Sequence, residues 1–222
     1  MTHAPSAPVP AIKVSLATRD QLPEAVTVIT NGLLVEPGFT ALLPDERQRR
    51  RVMTSLMTGI ARISQSRDAC YVARDLGSIT GVAIWVPPGT YPFDLRTNLR
   101  MAPHILHLIG LGPRTLSQLA AMDTNASKHF PQEPCWYLQA LGVDPTRQGQ
   151  GIGSAIMRSC LHHIDAQGDA AYLETSGEAN VRFYQRLGFE IREEGVHLVP
   201  ASLGVKHCTM FRSPQLTDTN PT

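Results

Sequence analysis

The sequence of 222 residues has almost no charge imbalance and no long apolar run. Its 20 lysine and arginine residues face 19 acidic ones, which gives a formal net charge of +1. Binding to a nucleic-acid backbone requires many clustered cations, so this balance argues against nucleic acid as a partner. No stretch approaches 18 apolar residues, which argues against a membrane-spanning helix.

Cysteine is scarce, and its spacing is uninformative for metal binding. The four cysteines, Cys70, Cys135, Cys160 and Cys208, show no C-x-x-C pair or other ligand spacing, and three of them lie in apolar patterns. We expect reduced core residues of a cytoplasmic protein. The histidines at 104, 107 and 129 lack a carboxylate or cysteine at ligand intervals, so no metal site is predicted.

Composition and turn signals predict one α/β domain over residues 11–212, with flexible tails over 1–10 and 213–222. The N-terminal segment carries three prolines among small residues and lacks the apolar region of a signal peptide. Hydrophobic residues make up 42% of the chain and charged residues 18%, which is ordinary for a globular domain.

Hydrophobic periodicity predicts the order of elements in the first third of the chain. A strand near 12–16 precedes a helix that opens with a capping box of Thr18 and Gln21 and runs to about 31. A second helix over 45–65 precedes a hairpin of strands 70–74 and 79–87. The arginines at 47, 49, 50 and 51 begin the second helix, where we expect a solvated face.

The most informative segment runs from Leu138 to Ser154. An apolar strand ends at an Asp-Pro turn, and a glycine-dense loop opens an amphipathic helix that stops at Gly168. Uncovered N–H groups and the positive end of the helix dipole favour a phosphate there. The loop lacks the lysine of a P-loop, and Ser154 stands where the dinucleotide fingerprint requires glycine. Glycines that only permit tight helix packing are the alternative.

A second pattern follows downstream. Residues 171–176 predict a short buried strand, and 180–187 a helix that Gly188 stops. Asn180 and Tyr184 are four residues apart and share a helix face.

The two segments together resemble a known superfamily. The pattern Q-x-x-G-x-G from Gln148 to Gly153 resembles the acetyl-CoA pyrophosphate loop of the GCN5-related N-acetyltransferases (GNAT), and the residues over 173–189 resemble its second signature. With residues 133–138 included, the chain is most similar to the puromycin N-acetyltransferase-like branch. Branch members often carry tryptophan near the position of Cys208 in the last strand, so puromycin itself is a doubtful acceptor.

The resemblance implies the GNAT fold, an α/β architecture with one mixed sheet and helices on both faces. Residues 88–134 would be a helical insertion between the third and fourth strands, with candidate helices over 94–109 and 113–126. The puromycin-type branch has a comparable insertion, which would line the acceptor pocket. A lid that only completes the core and a homodimer surface are the alternatives.

Acetyl-CoA is the cofactor that the resemblance implies, with CoA as product. Gly142 within the strand suggests a β-bulge that would admit the pantetheine arm, and an N–H near Leu141 would face the thioester oxygen. The implied cofactor-binding residues are Leu141, Val143, Gln148, Gly149, Gln150, Gly151, Gly153, Ser154, Asn180 and Phe183. Asn180 as a plain helix N-cap is the alternative.

Tyr184 occupies the general-acid position of the family, where it would protonate the departing sulfur. Its alternative is an aromatic side chain that packs on Leu187 and Phe189.

Glu174 is the candidate base, because a carboxylate in an otherwise apolar strand is costly to bury unless it has a partner or a task. It could also anchor a cationic acceptor or form an ion pair with Arg182 or Arg186.

These residues predict an acetyl-CoA dependent N-acetyltransferase that acts on a primary amine of a small molecule. No serine or cysteine lies in a recognisable nucleophile setting, so direct transfer in a ternary complex is expected. The alternative is a CoA-binding regulatory or structural protein of the same fold without acceptor turnover.

Overall fold

The computed structural model describes residues 12–75, 77–106 and 108–215, so the predicted tail over 1–10 lies outside the described residues. The strands are β1 Lys13–Leu16, β2 Cys70–Asp75, β3 Ser78–Val86, β4 Cys135–Val143, β5 Ala170–Ser176, β6 Glu190–Val196 and β7 His207–Arg212. The helices are α1 Leu22–Leu33, α2 Pro37–Leu42, α3 Glu46–Gln65, α4 Leu95–Leu106, α5 Pro113–His129, α6 Ile152–Ala166 and α7 Glu178–Gln185.

The strands form one sheet in the order β1-β2-β3-β4-β5-β7-β6. Neighbouring strands are antiparallel except β4 and β5, which are parallel because α6 carries the chain from the end of one to the start of the other. The mixed α/β sheet predicted from the sequence is confirmed.

Helices cover both faces of the sheet. On the α6 face, the apolar stripe of α6, with Ile156 and Met157 fully buried, packs against Trp85 and Leu138. On the opposite face, which we call the α1 face, α1 and α3 pack against Val72 and other strand residues. Cys70, Cys135 and Cys160 are buried and free, and burial raises the pKa of each thiol to about 12.

The segment between α1 and α3 differs from the sequence prediction. The capping box is present, since Gln21 Oε1 accepts a hydrogen bond from the Thr18 N–H at 3.0 Å. The short helix α2 was not predicted; it has only six residues and opens with Pro37 and Gly38. Glu36 caps it by accepting a hydrogen bond from the Phe39 N–H at 2.9 Å.

The solvated face predicted for the arginine cluster is wrong at Arg49. Arg47, Arg50 and Arg51 are exposed, but Arg49 is only 7% exposed. Its guanidinium donates to the carbonyls of Leu34 at 2.7 Å and Leu43 at 2.6 Å. Because buried carbonyls without donors are costly, Arg49 stabilises the loops that flank α2.

The predicted insertion contains α4 and α5, which differ in length from the prediction. Helix α4 ends at Leu106, before the expected 109, and a short 3-10 turn over Ile109–Leu111 leads to α5, which continues to His129. His129 contacts Glu193 at 2.8 Å, whereas His107 lies outside the described residues. Within the described ranges, no group of three or more His, Cys, Asp or Glu side chains is placed to hold a metal ion.

The predicted C-terminal tail over 213–222 is fixed at its start. Asp165 forms a two-point ion pair with Arg212 and also accepts a hydrogen bond from the Gln215 N–H at 3.0 Å. Residues 216–222 lie outside the described residues. Of the helices that the structure describes, none is long and apolar enough to cross a membrane.

Candidate active site

The parallel strands β4 and β5 separate along their length and open a cleft. They pair only where Cys135–Tyr137 meet Ala170–Tyr172, at their first residues. A cavity of about 1260 Å³ extends from this opening to the glycine loop at one end and to the inserted helices at the other.

The bulge in β4 lies at Gln139, not at Gly142 as predicted. Ile84 pairs with Ala140 and Trp85 with Leu138, which leaves Gln139 as the extra residue. Gly142 is glycine for another reason. A Cβ there would lie 2.9 Å from the Cα of Ile29, so its absence lets α1 pack closely on β4.

The backbone of β4 directs N–H groups into the cleft. The Asp144 N–H donates to Thr80 on the β3 side at 2.9 Å. Successive residues of a strand point their N–H groups to opposite sides, so those of Val143 and Leu141 face the gap left by β5. Gly32 of α1 lies beside Val143, where a Cβ would come within 2.8 Å of both the amide nitrogen and the oxygen.

The glycine loop has the geometry of an anion site at the start of α6. Gly149 and Gly151 have φ of +76° and +80°, which favours glycine. A Cβ at either position would meet nothing within 4 Å. The alternative that these glycines only permit tight helix packing is therefore wrong. The neighbouring amides lie uncovered at a helix N-terminus, which fits a phosphate group.

The structure brings most of the predicted cofactor-binding residues to this cavity. Leu141, Val143, Gln148, Gly149, Gly151, Gly153, Ser154, Asn180 and Phe183 line it. Gln150 is not among the lining residues of the described chain, and its side chain accepts a hydrogen bond from Arg147 Nε at 2.9 Å. Gln148 instead donates to the Val143 carbonyl at 3.3 Å.

Glu174 lies on β5 where the strands separate, and it lines the cavity. Its carboxylate accepts hydrogen bonds from Tyr137 at 2.6 Å and Tyr172 at 3.0 Å. Burial raises the pKa of Glu174 to about 7, against the opposing effect of the two tyrosine donors. The alternative of an ion pair between Glu174 and Arg182 is wrong, because Arg182 contacts Glu178 at 2.9 Å. Among the described residues, Arg186 forms no ion pair with Glu174 either.

Tyr184 lies on α7, where it both packs against neighbouring aromatic side chains and lines the cavity. Its ring lies 5.0 Å from Phe183 and 5.8 Å from Phe189, centroid to centroid, and the residue is only 9% exposed. It also lines the cavity, and its hydroxyl has no hydrogen-bond partner in the part of the chain that the structure describes. Burial raises the pKa of this hydroxyl above its ordinary value.

Asn180 is not the helix N-cap that was the alternative prediction. Helix α7 begins at Glu178, with Gly177 before it, so Asn180 lies within the first turn. Its Nδ2 donates to the Ser176 carbonyl at 3.0 Å and ties α7 to the end of β5.

Gln139 is a site residue that the sequence analysis missed. The bulge breaks the alternation of β4, because Leu138 and Leu141 pack on the α6 face while Tyr137 and Ala140 pack on the other side. Gln139 lines the cavity, and its Oε1 is buried without a donor among the described residues. A polar residue between apolar neighbours was the available signal, as it was for Glu174.

The last strand contributes His207, and not Cys208, to the lining of the cavity. His207 is buried, and burial lowers its pKa. A tryptophan at the position of Cys208 would therefore not correspond to a lining residue of this cavity.

A glycine loop at a helix N-terminus beside two separated parallel strands defines a class of protein that binds an extended ligand carrying phosphate. The profile of the acetyltransferase (GNAT) family matches residues 41–189. The chain therefore belongs to this family, whose members use acetyl-CoA as the acetyl donor.

The curated relatives match only a short part of the chain. A mycothiol acetyltransferase from Mycolicibacterium gilvum (strain PYR-GCK) is 41% identical over 59 residues, which are 23% of this chain and 20% of that protein. The chain thus covers about a fifth of the length of this relative. The puromycin-like branch stays a prediction.

Solved structures with the same fold cover almost the whole chain. A histone acetyltransferase HPA2 and related acetyltransferase from Corynebacterium glutamicum superimposes with a TM-score of 0.67 at 22% identity, covering 94% of this chain and 99% of that one. The Drosophila melanogaster polyamine N-acetyltransferase, an enzyme that forms N-acetylagmatine, gives 0.57 at 17% identity, with 91% and 100% covered. At these identities the likeness shows the fold alone.

Proposed function

We propose that this protein transfers an acetyl group from acetyl-CoA to a primary amine of a small molecule, by direct transfer in a ternary complex. One observation supports this most strongly. A single cavity joins an uncovered anion-binding loop to a carboxylate with a pKa of about 7. The first feature suits a phosphate-bearing donor, and the second suits a base for an amine.

The loop and β4 would hold the donor. The amides of Gly149 and Gly151 donate no hydrogen bond to another described residue and would bind the pyrophosphate, and the N–H of Val143 faces the gap where an extended chain could pair with β4. Bound acetyl-CoA supplies the activated acetyl thioester. The Leu141 N–H would stabilise the negative charge that develops on the thioester oxygen.

The face of the cleft that carries Glu174 would receive the amine. With a pKa of about 7, Glu174 is half ionised at neutral pH and can accept a proton directly or through water. Gln139 Oε1, buried without a donor in the described chain, would accept a hydrogen bond from an amine N–H. A carboxylate and an amide oxygen together favour a positively charged or neutral amine over an acidic acceptor.

Tyr184 would return a proton to the sulfur. A free thiol has a pKa of about 8.5 and tyrosine about 10, so transfer to a finished thiolate is uphill. Burial raises the pKa of the tyrosine further. The proton must therefore move as the carbon–sulfur bond breaks, while the sulfur is still more basic than a free thiolate. The hydroxyl has no competing partner among the described residues and lines the cavity.

Similar proteins are named for acceptors of two kinds, mycothiol and amines such as agmatine, and the amine acceptor is part of this proposal. The relatives named for mycothiol share about a quarter of this chain, and the structural neighbour that forms N-acetylagmatine shares its fold. The homodimer and the absence of nucleic-acid partners stay predictions.

The test is CoA release from acetyl-CoA with a panel of primary amines, followed with a thiol reagent. Tyr184→Phe keeps the ring and its packing, so we expect turnover to fall about 100-fold or more with little change in melting temperature. Tyr71→Phe is the matched control, because Tyr71 is buried in the same core cluster but does not line the cavity.

Two results would contradict the proposal. Wild-type turnover in Tyr184→Phe would reduce Tyr184 to a packing residue. The second result has two parts: added CoA raises the melting temperature, but no amine causes release of CoA from acetyl-CoA. It would favour a CoA-binding protein without acceptor turnover.

A further inference from the structure

We propose that the acceptor carries its amine on a bulky apolar group, alkyl or aryl, that lies between the inserted helices and α3. This inference rests on the proposed function and specifies its acceptor.

The wall of the cavity beyond Glu174 is mostly apolar. Three helices contribute to it: α3, α4 and α5. The apolar side chains that they supply are Leu56, Met57, Ile60, Met101, Ile105, Leu116, Leu119 and Met122, and the polar members from the same helices are Asn98, Asp123 and Thr124. An apolar wall of this extent favours an apolar ligand, because polar groups placed there would lose their hydrogen bonds to water.

Several of these side chains are left uncovered by the protein. Ile105 is 45% exposed, and Leu116, Leu119 and Met122 are partly exposed although they pack against a buried cluster. Apolar surface that a folded chain leaves open inside a cavity gains free energy when a ligand covers it. Methionine adapts to different shapes, so this wall can accept groups of varied branching.

The charged end and the apolar wall meet at an aromatic cluster. Tyr137 donates to Glu174, and its ring lies 5.0 Å from Tyr91 and 5.5 Å from Phe130, centroid to centroid. An amine held at Glu174 would therefore have its carbon substituent directed along aromatic rings. The cavity arginines, Arg147 and Arg186, follow β4 and α7 in the chain and belong to none of the three helices of the wall.

Two other carboxylates line the cavity, Glu36 and Asp123, and the one on α5 allows a competing interpretation. Asp123 of α5 lines the cavity, and burial raises its pKa. Tyr91 Oη approaches its Oδ1 at 3.4 Å. A second cation on the acceptor could pair with it, so a diamine must be compared directly with its monoamine.

The experiment measures kcat/KM for the wild-type protein with ethylamine, butylamine, hexylamine and octylamine. Burial of one methylene is worth about 0.8 kcal/mol, so we expect a rise of about fourfold per methylene until the chain fills the wall. Hexylamine should exceed both 1,6-diaminohexane and glucosamine by about tenfold or more.

A matched pair of variants on α4 locates the effect. Ile105→Gln places an amide in the wall, whereas Leu99→Gln makes the same change at a residue that is 65% exposed and does not line the cavity. We expect Ile105→Gln to lower kcat/KM for octylamine about tenfold more than kcat/KM for ethylamine, because ethylamine is too short to cover the wall. Leu99→Gln should change neither.

The outcomes separate the two proposals. A flat series, or a preference for the diamine or the amino sugar, overturns the apolar acceptor while the acetyltransferase function stands. Equal effects of the two α4 variants on octylamine also overturn it. Absence of CoA release with every amine overturns the proposed function, and this inference with it.

Discussion

Replacing Glu174 by Gln tests the environment of the candidate base without reference to any substrate. In the folded protein, burial raises the pKa of Glu174 from an ordinary 4.5 to about 7. A carboxyl that binds its proton more tightly when folded stabilises the fold most at low pH, and this contribution is lost as the pH rises from about 4.5 to about 7. At about 1.4 kcal/mol per pKa unit, the loss amounts to roughly 3 kcal/mol.

Gln cannot ionise, and its amide oxygen can still accept from Tyr137 or Tyr172. The Glu174→Gln variant should therefore be more stable than wild type at pH 8.5 by up to about 3 kcal/mol, relative to the same comparison at pH 4.5. The assay is urea unfolding of both proteins at the two pH values. Comparing differences between proteins cancels the titration of all other groups that do not interact with this residue.

Glu178→Gln is the control, because Glu178 is a surface residue paired with Arg182 and should show no such pH dependence. If Glu174→Gln and wild type differ by the same amount at both pH values, Glu174 titrates normally. Its burial would then carry no energetic cost, and the argument for a base poised near neutral pH fails.

Two further predictions concern glycines. Gly151→Asp puts a side chain and a negative charge into the anion loop, so CoA should no longer raise the melting temperature. Gly168→Asp carries the same positive-φ strain at the other end of α6 and should keep the rise. Gly142→Ala places a Cβ 2.9 Å from the Ile29 Cα and should destabilise the protein by about 1–3 kcal/mol in urea unfolding. Gly110→Ala meets nothing within 4 Å and should not.

The long elements of the fold were predictable because their signals are local. Helix α6 shows 3.6-residue periodicity, and Gly168 follows its end with φ of +73°. The short helix α2 was missed, since six residues opening with Pro-Gly span fewer than two helical turns. Arg49 was misjudged for a different reason. Its partners are carbonyls of loops that only the tertiary structure brings together.

In the candidate site, too, features with local sequence signals could be predicted and features that depend on the tertiary structure could not. The glycine loop could be predicted, because its chemistry follows from residues that are adjacent in the sequence. The bulge could not be placed, because a glycine in a strand can serve either a bulge or a close helix contact, and Gly142 serves α1. Gln139 and the partners of Glu174 depend on how β4 pairs with β3 and β5, which is a long-range property.

The short pairing of β4 with β5 also divides the sheet into two parts, which we call plates, and these are joined only at the few residues where the two strands pair. We call this paired stretch the seam. Strands β1–β4 form one plate and β5–β7 the other, joined directly by three residue pairs and braced from behind by α6. Beyond the seam, about six residues of β4, roughly 20 Å at 3.3 Å each, face a gap. A ligand that fills this gap and bonds both sides connects the plates along their full length. The mechanical stiffness of this sheet therefore depends on whether the cleft is occupied.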